Sequence, residues 1–113
     1  MIGYLSGTVL DVDAGVITLV VSQGSVGYTV RVPENSKASA ILPGSKIELF
    51  IYTHVREDAL DLYGFSTQEE KKLFLALTSV NGIGPKLGMT LISHLSVGAI
   101  IEAIVTANKE LLT

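Results

Sequence analysis

The chain has no cysteine, no tryptophan and only three prolines among its 113 residues. Without cysteine there is no disulfide and no thiolate metal ligand, which fits a reducing compartment. No apolar run is long enough to span a bilayer, and the start, Met1-Ile2-Gly3-Tyr4, lacks the basic and apolar regions of a secretory signal. We therefore expect a cytoplasmic protein that does not associate with membranes.

Catalytic and metal-binding signatures are also missing. His54 and His94 are forty residues apart, with no carboxylate or cysteine beside them in a ligand pattern, which argues against a metal site. The chain has no serine-nucleophile motif and no P-loop for a nucleotide phosphate. We therefore expect a protein that is not an enzyme, that has no ATPase of its own, and that needs neither a metal nor a cofactor.

The net charge is −3, whereas dedicated DNA-binding domains are usually basic. The negative excess lies in residues 1–64, which carry four basic and seven acidic side chains; residues 65–113 carry four of each. Hydrophobic residues make up 48% of the chain and charged residues 17%, so the chain can bury a core.

The first half shows short β patterns between turn residues. Alternating or β-branched runs predict strands at 2–12, 16–21, 26–32, 46–55 and 60–65, while 35–42 fits either a loop or a short helix. Five short strands in about 65 residues predict a small closed or partly closed barrel, such as an OB-fold.

The second half has helical spacing. Ser66 and Thr67 precede Glu69 and Glu70 at the spacing of a capping box, and helices are predicted at 71–80, after 85, and after 96. The predicted fold class is therefore α+β, with a five-stranded OB-fold domain at 1–64 followed by a helical domain at 65–113.

The segment that joins the first two predicted helices is the most informative, and it reads Val80-Asn81-Gly82-Ile83-Gly84-Pro85-Lys86. Glycine permits backbone angles closed to other residues, and proline suits the first position of a helix. Backbone N–H groups at such a helix start bind anions. We predict a helix–hairpin–helix motif in which a DNA phosphate is bound by Asn81, Gly82, Ile83, Gly84 and Lys86.

The same segment has two other interpretations, a plain helix–helix turn and a dinucleotide-binding loop. An ordinary helix–helix turn with glycines remains open. A dinucleotide-binding glycine loop fits badly, because the preceding run is helical and the glycine spacing differs. The phosphate site is also weak by itself: two amides and one lysine give about 4 kcal/mol, or roughly millimolar binding. Useful affinity therefore requires several linked hairpins or an oligomer.

Several segments together resemble the RuvA family of bacterial Holliday-junction branch-migration subunits. They occur in the family's order and spacing: Met1-Ile2-Gly3, Gly27-Tyr28, Val55-Arg56-Glu57-Asp58-Ala59, Leu62-Tyr63-Gly64-Phe65 and Asn81-Gly82-Ile83-Gly84-Pro85-Lys86-Leu87. The chain is similar to the N-terminal two-thirds of the family. The resemblance implies an OB-fold domain, a helical domain with two hairpins, and a homotetramer that holds a four-way junction open in DNA recombination and repair.

The resemblance also changes the interpretation of one turn. From the residues alone, Glu57 and Asp58 form a solvated polar hairpin tip. In the family this turn is an acidic pin, whose carboxylates repel phosphates at the junction centre and help the strands separate. The family further implies a separate RuvB-type ATPase motor, bound through a C-terminal domain that is absent here.

Besides lacking that C-terminal domain, the chain departs from the family pattern in two further ways. It ends at Thr113, before the expected second hairpin, so the helical domain is expected to be incomplete. Tyr4 stands where many relatives carry a basic residue. A single-strand-binding OB module, with bases stacked on Tyr28, Tyr52 or Tyr63, is the alternative function, and a protein-interaction domain is a second.

Overall fold

The computed structural model describes residues 1–21, 24–94, 98–102 and 105–106. Five strands form a closed barrel: β1 (Tyr4–Asp13), β2 (Val16–Val21), β3 (Val26–Arg31), β4 (Lys46–Val55) and β5 (Leu60–Phe65). They lie in the order β1-β2-β3-β5-β4, and β4 pairs back with β1. This order, with β3 and β5 parallel and the other pairs antiparallel, is that of an OB-fold, so the predicted barrel is confirmed.

The barrel closes tightly because alternate residues point inward and because two glycines let strands approach. Val9, Ile17, Leu19, Val30, Leu49 and Ile51 belong to its buried core. A Cβ at Gly7 would lie 2.1 Å from the carbonyl oxygen of Val20, and one at Gly64 would lie 2.6 Å from Cγ1 of Val30. Neither space accepts a side chain, so glycine is required at both positions.

Between β3 and β4 the ambiguous stretch contains a 3-10 helix at Lys37–Ala40. Helix α1 (Gln68–Thr78) follows the barrel, and Thr67 caps it by accepting a hydrogen bond on Oγ1 from the N–H of Glu70 at 3.2 Å. Helix α2 spans Pro85–His94, and residues 98–102 and 105–106 are also helical. None of the helices that the structure describes has the length and apolar character needed to cross a membrane.

A second core joins the helices to the barrel. It contains Tyr63, Phe65, Phe74, Leu77, Ile92 and Ile100. The ring of Phe74 on α1 lies 5.0 Å from that of Phe65 and 5.5 Å from that of Tyr63, measured between centroids. The helical hairpin therefore packs against strands β4 and β5 of the barrel.

The loop after β3 holds the C-terminal end of α2 by two hydrogen bonds. The side-chain amide of Asn35 donates to the carbonyl oxygen of Ile92 at 2.9 Å, and the N–H of Glu34 donates to Oγ of Ser93 at 3.0 Å. Because the C-terminal turn of α2 is held in this way, the N-terminal end of the helix has a defined place beside the barrel.

Candidate nucleic-acid interface

The turn between α1 and α2 is closed by a hydrogen bond from the N–H of Ile83 to the carbonyl oxygen of Val80, at 3.1 Å. Gly82 occupies the third position of this turn with φ of +92°, an angle that side-chain-bearing residues rarely adopt. The sequence therefore needs glycine at 82 for conformation, as predicted.

Two amides of this turn are free to bind a ligand. In the described part of the chain, the N–H groups of Gly82 and Gly84 have no hydrogen-bond partner, and both residues are exposed. A Cβ at either glycine would meet nothing within 4 Å, so the space in front of them is open. Gly84 does not have a positive φ, so the expectation of an unusual backbone angle is wrong at this residue. Its lack of a side chain instead leaves the amide open to a ligand.

The amide of Ile83, which was predicted to bind phosphate, is not available to a ligand. Its N–H is already bonded to the Val80 carbonyl, so we remove this amide from the predicted phosphate contacts. Its side chain is partly buried and packs against the core around Phe74, which anchors the turn. Asn81 is exposed, and its side chain has no bonded partner among the described residues.

The start of α2 adds further donors. The first bond into the helix runs from the N–H of Gly88 to the carbonyl oxygen of Gly84 at 2.9 Å, which leaves the N–H groups of Lys86 and Leu87 without an intrahelical acceptor. Lys86 is exposed, and no described carboxylate pairs with it. The cationic side chain, the two glycine amides and the helix start thus form a candidate anion site.

Close contact between the helices supports this geometry. A Cβ at Gly88 would lie 3.1 Å from Cγ2 of Thr78 and 3.2 Å from Cε1 of Phe74. Glycine at 88 therefore lets the two helices pack closely, and a larger residue would displace the side chain of Thr78 or Phe74.

The acidic tip lies at the end of the β4–β5 hairpin. Arg56 and Ala59 exchange backbone hydrogen bonds of 2.8 and 3.4 Å, which leaves Glu57 and Asp58 as the two central residues of a tight turn. Both are exposed, and neither carboxylate pairs with a cation among the described residues. Arg56 instead forms an ion pair of 2.9 Å with Asp61.

An open hollow of about 220 Å³ lies between the hairpin stem and the start of α2. It is lined by residues of both parts of the molecule, namely Arg31, His54, Arg56, Asp61, Tyr63, Pro85 and Lys86. The fold therefore brings the start of α2, which directly follows the glycine turn, and the stem of the acidic tip to one cleft. Sequence motifs did not identify Arg31 or His54, because their place in the cleft depends on strand pairing and on the packing of α2 against the barrel.

Of the tyrosines proposed as stacking residues, Tyr63 is buried and Tyr28 and Tyr52 are partly buried. Tyr63 is 5% exposed and stacks on Phe74, Tyr52 packs against the same ring at 5.6 Å, and Tyr28 packs against the barrel core. Burial, and then the nearby Asp61 carboxylate, raise the pKa of Tyr63, so its hydroxyl stays neutral. The structure therefore offers little support for base stacking through these rings.

Known proteins resemble the chain over its whole length. Residues 1–64 match the family model described as RuvA N terminal domain, and residues 74–113 match that of a SAM-like helix-hairpin-helix tandem. A protein of Halothermothrix orenii named Holliday junction branch migration complex subunit RuvA is 47% identical over 112 residues, covering 99% of this chain and 56% of that protein. A protein of the same name from Bdellovibrio bacteriovorus is 41% identical over 116 residues, covering 100% of this chain and 57% of that protein.

A third protein with this name, from Synechococcus elongatus, is 39% identical over 115 residues and again matches 56% of its own length. The chain thus spans a little over half the length of the curated relatives it matches, less than the two-thirds expected from the sequence.

Proposed function

Because the chain belongs to the RuvA family, we propose that it is the DNA-binding part of a non-catalytic subunit that recognises four-way junctions in recombination and repair. It binds the DNA backbone and not the base sequence. The observation that carries this proposal is the pair of unbonded glycine amides beside the unpaired Lys86, at the cleft that also holds the stem of the acidic tip.

Each element has a physical role in this proposal. The N–H groups of Gly82 and Gly84 donate to phosphate oxygens, Lys86 supplies the charge, and Asn81 lies at the edge of the same turn. Glu57 and Asp58 repel the backbone at the crossover, so that strands turn away into the arms. The OB-fold domain at 1–64 carries the tip, and the helical domain at 65–113 carries the hairpin.

The weakness of one phosphate site requires more than one chain. We propose a homotetramer, in which four hairpins bind four arms and raise the affinity through effective concentration. Strand movement is then driven by a separate RuvB-type ATPase, which binds parts of the full-length protein beyond this chain. The complex works in the cytoplasm.

This function predicts a defined order of affinities. Fluorescein-labelled four-way junction, duplex and single-stranded DNA of equal length are titrated with the chain, and anisotropy is measured between about 50 and 200 mM salt. The junction should bind most tightly, and its affinity should fall steeply as salt rises, because phosphate contacts release counterions. Tighter binding of the single strand would favour the alternative function, a single-strand-binding OB module. An affinity that does not change with salt concentration would contradict phosphate contacts.

Neutralising the acidic tip should reduce selectivity without abolishing binding. In the double variant Glu57→Gln with Asp58→Asn, we expect junction affinity to be unchanged or tighter, and the ratio of duplex to junction dissociation constants to fall roughly three- to tenfold. The matched control, Asp11→Asn with Glu69→Gln, removes two exposed carboxylates elsewhere and should leave the ratio unchanged. Loss of all DNA binding in the tip variant would mean that the tip holds DNA instead of repelling it.

A further inference from the structure

The cleft has a basic wall on the barrel that lies outside both motifs. Arg31 at the end of β3 lines the hollow together with Lys86 of α2. We propose that a DNA strand runs through this cleft, with its phosphates held by Arg31 on the barrel side and by Lys86 on the helix side. The inference rests on the proposed function and adds a second phosphate-binding element, one that belongs to the OB-fold.

The charges of the cleft favour an anion. Three cationic side chains (Arg31, Arg56 and Lys86) and one carboxylate (Asp61) line the hollow, a net of two positive charges in a chain whose total is −3. Arg56 is engaged by Asp61 at 2.9 Å, whereas Arg31 and Lys86 have no described carboxylate within ion-pair distance. Two unpaired cations on opposite walls repel each other, and a phosphate between them relieves that repulsion.

The position of Arg31 and Lys86 points to a continuous track. A second hollow, of about 190 Å³, runs along α2, and it shares Arg31, Tyr63 and Lys86 with the first. These residues therefore stand where the two hollows meet. A strand that follows both hollows passes Arg31 and Lys86, and in the second hollow it also passes Glu34.

Both walls are firmly placed. On the barrel side, Arg31 pairs with Val16 of β2 and lies opposite Tyr63 of β5, at the parallel contact that closes the barrel. On the helix side, the bonds from Asn35 and Glu34 hold the last turn of α2. The main chain of both walls is thus held by bonds within the protein, so binding requires little ordering of the backbone.

The matched comparison is between Arg31→Ala and Lys46→Ala. Both residues are exposed, both lie on barrel strands, and each substitution removes one positive charge; Lys46, however, lines a different hollow with Gly7, Leu10 and Gly44. With the whole chain and a four-way junction, Arg31→Ala should raise the dissociation constant about five- to tenfold and reduce the salt slope by about one unit. Lys46→Ala should change the dissociation constant less than twofold.

The conservative variant Arg31→Lys, which keeps the charge, should recover most of the affinity, and circular dichroism melting should show that all variants fold as the wild type does. If Lys86→Ala weakens binding while Arg31→Ala behaves as Lys46→Ala does, the barrel wall is excluded and the proposed function stands. If neither Arg31→Ala nor Lys86→Ala weakens junction binding, the proposed function fails together with this inference.

Discussion

Replacement of Phe74 by alanine should lower the free energy of unfolding by about 3–5 kcal/mol. The ring is fully buried and packs against the rings of Phe65, Tyr63 and Tyr52, with centroid distances of 5.0, 5.5 and 5.6 Å. It also lies under the close contact of α2 at Gly88. Removing it opens a cavity in the core where α1, α2 and the barrel meet.

Thermal unfolding followed at 222 nm and urea titration measure this loss. Small domains have total unfolding free energies of about 5–15 kcal/mol, so the expected loss is a large share of the total. We expect the packing of the helices on the barrel to weaken and the melting temperature to fall by roughly 10–20 °C. Leu75→Ala is the control, because Leu75 is the next residue on α1 and is 40% exposed. A loss no greater for Phe74→Ala than for Leu75→Ala would contradict this role. Phe74→Leu keeps an apolar side chain, so it should lower the free energy of unfolding and the melting temperature less than Phe74→Ala does.

Lys86→Ala should weaken junction binding roughly tenfold and leave stability unchanged. The side chain is exposed and unpaired in the described structure, so its removal costs the fold little, whereas a phosphate at the α2 start loses a charge-assisted hydrogen bond. The loss should be similar for different DNA sequences and should reduce the salt slope by about one unit.

Lys72→Ala provides the control for charge alone. Lys72 is an exposed residue of α1 that lines an apolar hollow with Leu73 and Ala76, away from the cleft. If Lys72→Ala and Lys86→Ala weaken junction binding equally, the effect is a general electrostatic one, and the α2 start is not a phosphate site.

Local sequence signals predicted most of the barrel. The strands at 16–21, 46–55 and 60–65 were predicted at their observed bounds, because glycine, proline or charged turn residues flank them. Helix α1 begins at Gln68, earlier than its apolar run suggested, because the hydroxyl of Thr67 caps it there. A capping bond of this kind sets a helix start independently of hydrophobic periodicity.

Features that depend on distant parts of the chain were not predictable in the same way. Arg31 carries no motif, and only the pairing of β3 with β5 brings it to the cleft. The bond that occupies the Ile83 N–H depends on how the turn closes, and the glycine pattern alone does not show it. The apolar residues of the helix predicted after 96 also differ in burial, because Ile100 is buried whereas Ile101 and Val105 are 50% and 49% exposed; Ile104 lies outside the described residues.

The central claim is that main-chain amides of the glycine turn bind a phosphate. The most direct test is to follow the backbone amide resonances of the unsubstituted chain by NMR while four-way junction DNA is added. With ¹⁵N-labelled chain and four-way junction DNA at low salt, the Gly82 and Gly84 amide signals should shift strongly downfield, as expected for N–H groups that acquire an anionic acceptor. The Ile83 amide, already bonded within the turn, should shift much less. If the signals of Gly82 and Gly84 stay in place while the DNA binds, the amides do not hold the backbone, and the account is contradicted.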